Sequence, residues 1–282
     1  MIPGISYSKD SHSFIQVIHA NSGQSHYIRF PLDAFSYEAR EFRIQIGPNH
    51  FSDHHLALDL DAENLVMKGE IIFKEIQVFP VSLFSPGIMG WYAFVPFMEC
   101  YHGVVSMQHS LTGNLKVNGS SINFTGGRGY IEKDWGRSMP SDWIWIQSNH
   151  FDQHSKVSFM LSVARIPWLN GYFPGFLSFL QLEGKLYRFA TYNRSSVRSL
   201  HESEDRVEIV LGNKKHTLEV TALKQEGGLL KAPENGSMER HIKESILSTL
   251  DLVLKNHRGD ILFSGTGRYA GLEIVGKMEK FY

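Results

Sequence analysis

Cysteine is nearly missing from this chain: Cys100 is the single thiol in 282 residues, so no disulfide can form within it. One thiol among apolar neighbours reads as an inert interior residue rather than a nucleophile. An excess of either charge is missing too. Twenty-eight Lys and Arg against 29 Asp and Glu leave no electrostatic footprint for nucleic acid and no polybasic tract for an anionic membrane. Nor is there an unbroken apolar run of the roughly 20 residues that a spanning helix needs. Residues 87–105 approach one, but Pro96, Glu99 and His102 interrupt them. Residues 166–182 carry no charge, yet hold Pro167, Asn170, Gly171, Pro174 and Gly175. Both stretches read as buried or cavity-lining, with a shallow peripheral membrane contact as the weaker reading. The start, Met1-Ile2-Pro3-Gly4-Ile5-Ser6-Tyr7, lacks the basic and apolar regions of a signal peptide, so a cytoplasmic location is the default expectation.

Familiar catalytic signatures are also lacking. There is no P-loop, no nucleophile elbow and no His-Glu-x-x-His pair. Gly126-Gly127-Arg128-Gly129 is rich in glycine but precedes a strand pattern, which makes it a poor phosphate cradle. Fourteen histidines invite a search for metal, and His50, Asp53, His54 and His55 crowd together, but at a turn; no dedicated metal site is expected.

What the chain does have is aromatic and alternating. Nineteen Phe, 11 Tyr and 5 Trp sit in a globular composition of 42% hydrophobic residues. Short alternating runs recur about every ten residues with Gly and Asn between them, which argues for an all-β sandwich or barrels. Strands are expected near 13–20, 37–46, 55–60, 69–73, 101–110, 156–164, 186–192, 206–211 and 216–223, with a turn at Leu111-Thr112-Gly113-Asn114. Asn118-Gly119 is the strongest two-residue hairpin signal. Residues 246–255 fit a helix or a strand, and the turn His257-Arg258-Gly259-Asp260 favours a hairpin. A boundary near Arg137–Ser141 divides the chain into an N-terminal β domain, 1–137, and a C-terminal one, 138–282.

The chemistry concentrates beside that boundary. If residues 130–135 form a strand, Tyr130, Glu132 and Asp134 share one face, while Ile131, Lys133 and Trp135 share the other. Two carboxylates at that spacing stand about 6.5–7 Å apart. Mutual repulsion and apolar neighbours would keep one protonated, as general acid catalysis needs. The competing reading is an ion-paired structural face held by Arg128, Lys133 or Arg137. In the next strand Trp143, Trp145, Gln147, Asn149 and Phe151 share a face that runs from indoles to amides, the pattern of a ligand wall. Two core tryptophans are the alternative. In the run Trp91 to His102, Glu99 and His102 are the only ionisable groups besides tyrosine and cysteine. They are either used or paired, as Glu99–His102 or Glu99–Tyr101.

At these residues the sequence resembles the tocopherol cyclase family. Carrying the resemblance are Ser85-Pro86-Gly87-Ile88-Met89-Gly90-Trp91-Tyr92 and Pro96-Phe97-Met98-Glu99-Cys100-Tyr101-His102-Gly103. The more specific signatures are Glu132-Lys133-Asp134-Trp135-Gly136 and Trp143-Ile144-Trp145-Ile146-Gln147. The resemblance implies two lipocalin-like antiparallel β-barrels or half-barrels packed side by side, with few helices, akin to carotenoid hydratases. It implies acid-catalysed chromanol closure on a prenylated quinol or related isoprenoid, chemistry that needs no redox cofactor and no metal, with a non-catalytic carrier of a hydrophobic ligand as the alternative. On that reading Asp134, Glu132, Glu99 and His102 are candidate catalytic residues. Trp91, Tyr101, Tyr130, Trp135, Trp143, Trp145, Gln147 and Asn149 are candidates for holding the substrate, Gln147, Asn149 or His102 by its hydroxyl. The family's usual N-terminal strand has no counterpart before Ile2-Pro3-Gly4, so the first barrel is expected to lack a strand.

Overall fold

The computed structural model of the protein describes residues 1–96, 98–168 and 171–281, apart from the side chains of 279 and 280. Phe97 of the motif run and Asn170 of the uncharged stretch fall outside them. The architecture is all-β, in antiparallel sheets of three, eight and eleven strands, with four short 3-10 turns and no longer helix among the described residues. No described helix is long and apolar enough to cross a membrane.

The three-stranded sheet holds Ile2–Ser6, His12–Ile18 and Ser25–Phe30. The eight-stranded sheet runs from Phe35–Tyr37 to Arg128–Gly136. Its longest member, Cys100–Val117, pairs with three neighbours along its length. The eleven-stranded sheet begins at Trp143–Ser148 and ends at Ile261–Val275.

Alternation decides what each strand buries. In Trp143–Ser148, Ile144 and Ile146 point into a large apolar core with no exposed surface, as do Phe159, Leu161 and Val163 on the neighbouring Val157–Trp168 strand. That core draws on both end strands of the sheet, through Tyr187 and Phe189 at one end and Val197 and Leu200 at the other. The sheet therefore curls around its own side chains, and its two end strands are not hydrogen-bonded to each other. It is a lipocalin-like wrap that stops short of a closed barrel. Burying one such Phe or Leu stabilises the fold by about 1.5–3 kcal/mol.

Local signals behave as their chemistry requires. Asn118 and Gly119 both take positive φ, 47° and 87°, and Val117 pairs with Ser120 across a two-residue turn. Residues 246–255 are strand, within Ser237–Asn256, and turn at 257–260 into Ile261–Val275. Two expectations need correction. The predicted turn at Leu111–Asn114 is the middle of the Cys100–Val117 strand. Gly113 lies there at φ 137°, where any side chain would run into the Glu70 carbonyl oxygen, so this glycine serves close strand packing rather than a turn. The single strand predicted over 37–46 is two, Phe35–Tyr37 and Arg43–Ile46, paired across a bend.

Candidate active site

Strand register brings the acidic motif to a histidine. Arg128–Gly136 lies antiparallel to the first half of Cys100–Val117, with register shifts on both sides of Ile131. Beyond this bulge Asp134 stands opposite His102 and Glu132 opposite Val104. His102, Asp134 and Glu132 therefore share one face. His102 Nε2 lies 3.1 Å from Glu132 Oε2, and its Nδ1 3.8 Å from Asp134 Oδ1. Glu132 Oε2 also accepts the Tyr130 hydroxyl at 2.6 Å and the Trp145 indole N–H at 3.3 Å. The Glu99–His102 pair expected as an alternative does not form, because Glu99 points to solvent.

Burial and charge oppose each other in this cluster. Burial alone would depress the His102 imidazolium; Asp134 and then Glu132 outweigh it and raise His102 to about 9. Burial raises Asp134 to about 6; His102 opposes that rise and Glu132 adds to it. Burial, then Glu132, push the Tyr130 phenol well above its ordinary value. At neutral pH the histidine is an imidazolium between two carboxyls, presenting N–H donors to both and no lone pair. The three groups' ligand-type atoms lie within 4.8 Å of one another, close enough to share a cation; here the imidazolium supplies the positive charge.

The cluster forms one wall of a cleft of about 900 Å³, counting its open mouth. Trp143, Trp145 and Glu273 form a second wall, Ile166, Phe173, Phe176 and Leu177 a third, and Met89, Tyr92 and Met98 a fourth. The apolar lining thus carries polar groups at few points, the usual form of a small-molecule site. Two large exposed rings adjoin the lining: Trp91, stacked on Tyr92 at 4.0 Å, and Trp168, edge-on to Phe173 at 6.2 Å.

Of the residues expected from sequence, His102, Glu132, Asp134, Trp143 and Trp145 line this cleft, and Tyr130 reaches it through Glu132. The others do not line it. Trp135 lies on the opposite strand face, 48% exposed, with the Lys133 ammonium over its ring and the Tyr101 ring stacked on it at 5.5 Å. Tyr101 donates its hydroxyl to the Val95 carbonyl. Asn149 ties strands together, giving its amide to the Gly129 carbonyl while its own carbonyl accepts from Arg128. Gln147 is buried, and its Nε2 has no hydrogen-bond partner among the described residues. The crowded histidines at the earlier turn are paired locally, His54 with Asp53 and His55 with Glu70.

One acidic residue of the cleft was missed, Glu273, along with the aliphatic and aromatic lining of the third and fourth walls. Glu273 receives the Trp143 indole N–H at 2.7 Å, and burial followed by the Glu244 carboxylate pushes it well above the carboxylate range. The signal was present, since Glu273 is the only charged residue in Ala270-Gly271-Leu272-Glu273-Ile274-Val275. A lone carboxyl in an apolar strand must be paired or used.

Comparison with known proteins adds to this geometry. A family model described as tocopherol cyclase-like matches residues 75–276. A probable chloroplastic tocopherol cyclase of Oryza sativa subsp. japonica is 25% identical over 197 residues, which cover 66% of this chain and 42% of the rice protein. The chloroplastic tocopherol cyclase of Zea mays is 26% identical over 202 residues, 66% of this chain and 41% of the maize protein. The chain thus spans about two fifths of the length of these relatives. Among solved structures, kievitone hydratase from Nectria haematococca superposes at TM-score 0.51 with 11% identity, covering 96% of this chain and 87% of that one. CghA superposes at 0.53 with 9% identity, covering 96% and 81%. At such identities these two share the fold alone.

Proposed function

The chain belongs to the tocopherol cyclase-like family, and from that premise we propose that its cleft closes a chromanol ring on a prenylated quinol or a related isoprenoid by acid catalysis. The observation that carries this reading is one cleft holding an imidazole and three carboxyls, His102, Glu132, Asp134 and Glu273, between aromatic and aliphatic walls. A carboxylic acid of the wall gives its proton to the trisubstituted alkene beside the ring. The alkene's π pair forms the new C–H bond and leaves a tertiary cation. The phenol oxygen attacks that cation, and the phenol proton passes to a second group of the wall. Nothing is gained or lost overall, so the reaction is an isomerisation.

Each part of the cleft suits a step. Indole and phenol faces of Trp143, Trp145 and Tyr92 suit a developing cation, as aromatic faces suit bound ammonium groups. Apolar walls suit the prenyl chain and keep water from trapping the cation. Titratable groups whose environments separate their proton affinities suit acid and base roles in one site.

The test is to incubate the protein with a prenylated hydroquinone and follow chromanol by a change of retention without change of mass. Chromanol formed in proportion to enzyme and time is the expected result. Saturable binding without product would overturn the cyclase reading and leave a carrier of hydrophobic ligands, which the same apolar walls suit.

A further inference from the structure

Two carboxyls of the cleft are held by two tryptophans of one strand. Trp143 gives its indole N–H to Glu273, and Trp145, two residues on, gives its own to Glu132. The donors' backbones stand about 6.5–7 Å apart, so the two carboxyls occupy separate stations along the cleft. Their company differs. Glu132 and Asp134 share the His102 ring. Glu273 has no ion pair among the described residues and one neutral N–H. Its cross-strand neighbours at the backbone are Trp145 and another acid, Glu244. The guanidinium of Arg240 lies over the Trp143 ring, 4.8 Å from its centre, and gives its N–H groups to the Pro140 and Ser141 carbonyls rather than to Glu273.

We propose that Glu273 is the proton donor of the cleft and that the His102–Asp134 pair is the acceptor, a division of roles that rests on the ring-closure reading above. The Glu273 O–H bond breaks and its proton goes to the alkene carbon. The phenol oxygen bonds to the tertiary cation, its O–H bond breaks, and the Asp134 carboxylate takes that proton beside His102. The Glu273 carboxylate left behind keeps the Trp143 N–H, a hydrogen bond that is stronger to the charged form than to the neutral one. Exchange with water at the mouth returns a proton to Glu273 and removes one from Asp134.

The electrostatics run the same way. Burial and then Glu244 drive Glu273 well above the carboxylate range, with Glu132 and Asp134 adding to the rise. Asp134 rises only to about 6, because His102 opposes its burial. Of the two, Glu273 has the surroundings that favour holding a proton, and Asp134 those that favour accepting one.

The experiment pairs infrared spectroscopy with turnover. At pH 7 the wild-type protein should show a protonated carboxyl C=O stretch that shifts in D₂O. Glu244, raised to about 7, contributes to the same region, so its share is assigned with Glu244→Gln; the remaining band should survive in Asp134→Asn and vanish in Glu273→Gln. Glu273→Gln should lower kcat by about 100-fold or more, while Kd for a quinol with a saturated side chain changes less than about threefold. Trp143→Phe, which keeps the ring and removes the N–H, should lower kcat by about tenfold with binding intact, as expected for about 1.4 kcal/mol. A Glu273→Gln enzyme that turns over like wild type, or a band lost in Asp134→Asn instead, moves the donor to Asp134 and overturns the proposal. Absence of chromanol with the wild-type protein is a different outcome and sinks the ring-closure reading itself.

Discussion

The two faces of the Trp143–Ser148 strand are built to opposite rules. On one face Ile144 and Ile146 are fully buried against Phe159, Leu161 and Val163. On the other, Trp143 and Trp145 spend their indole N–H groups on Glu273 and Glu132 and border a cleft. One backbone thus carries a closed core and an open chemical site about one side chain apart. Lipocalin-like wraps have an interior in which a ligand can sit, but here that interior is filled with Phe, Leu, Ile and Val. The ionisable groups gather outside it, where the sheet meets the Arg128–Gly136 strand. Division of this kind lets the core be optimised for packing while the outer face carries buried charge at a cost in stability.

The two faces of this strand can be altered one at a time. Asp134→Asn removes a proton site and keeps the shape. Turnover should fall by about 100- to 10 000-fold, or about 2.7–5.4 kcal/mol of transition-state stabilisation, while the melting temperature moves by only a few degrees. Steady-state kinetics beside a thermal melt give both numbers. A collapse of the melt with turnover intact would place Asp134 with the structural residues.

The reverse substitution is Phe159→Ala, on the filled face. It should cost about 3–5 kcal/mol of stability, because a fully buried ring leaves a cavity its neighbours only partly fill. Denaturant unfolding measures it. In the molecules that remain folded, ligand affinity should hold within about twofold, since Phe159 does not line the cleft and Phe176 is the one core ring that also borders it. A matching loss of affinity would mean that the core and the cleft are mechanically one.

A gentler probe is pH. His102 is raised from 6.5 to about 9 in the folded protein, so its contribution to stability is full below pH 6.5 and is lost as the pH climbs through 9. Asp134 and Glu244 are raised to about 6 and about 7, so the native state binds their protons more tightly than the unfolded chain does. Their sign is therefore the same: stability declines as pH rises from about 4 to 7. The filled core holds no carboxyl or imidazole and should contribute no slope over this range. His102→Gln should flatten the decline between pH 6.5 and 9 in chemical melts. An unchanged slope would mean that the imidazolium is not held by the two carboxyls.

Much of this division could be read in the chain. Period-two alternation separates Trp143 and Trp145 from Ile144 and Ile146 and puts Glu132 and Asp134 on one face, and the Asn118-Gly119 dipeptide marks its hairpin. Register could not be read that way. His102 meets Asp134 because a bulge at Ile131 shifts the pairing, and no residue-type pattern announces it. Glu273 is 130 positions from Trp143, so only the sheet order joins them. Gly113 looked like a turn because sequence shows a glycine's freedom but not the neighbouring strand that requires it.

The smallest expected effect tests alternation itself. Trp135 is in the specific family-like motif, yet period two turns it away from Asp134, and the structure leaves it half exposed under Lys133. Its remaining contact with the cleft is indirect. The indole stacks on Tyr101, whose hydroxyl holds the Val95 carbonyl, and that segment adjoins Met89, Tyr92 and Met98 on the fourth wall. Trp135→Ala should therefore cost little stability, about 0.5–1.5 kcal/mol from the lost ring pair, and change Kd for a quinol ligand by less than about threefold. Isothermal titration decides it. A tenfold loss of affinity would show that the ligand reaches past the cleft to the outer face of the strand, and the clean division between the two faces would fail at that residue.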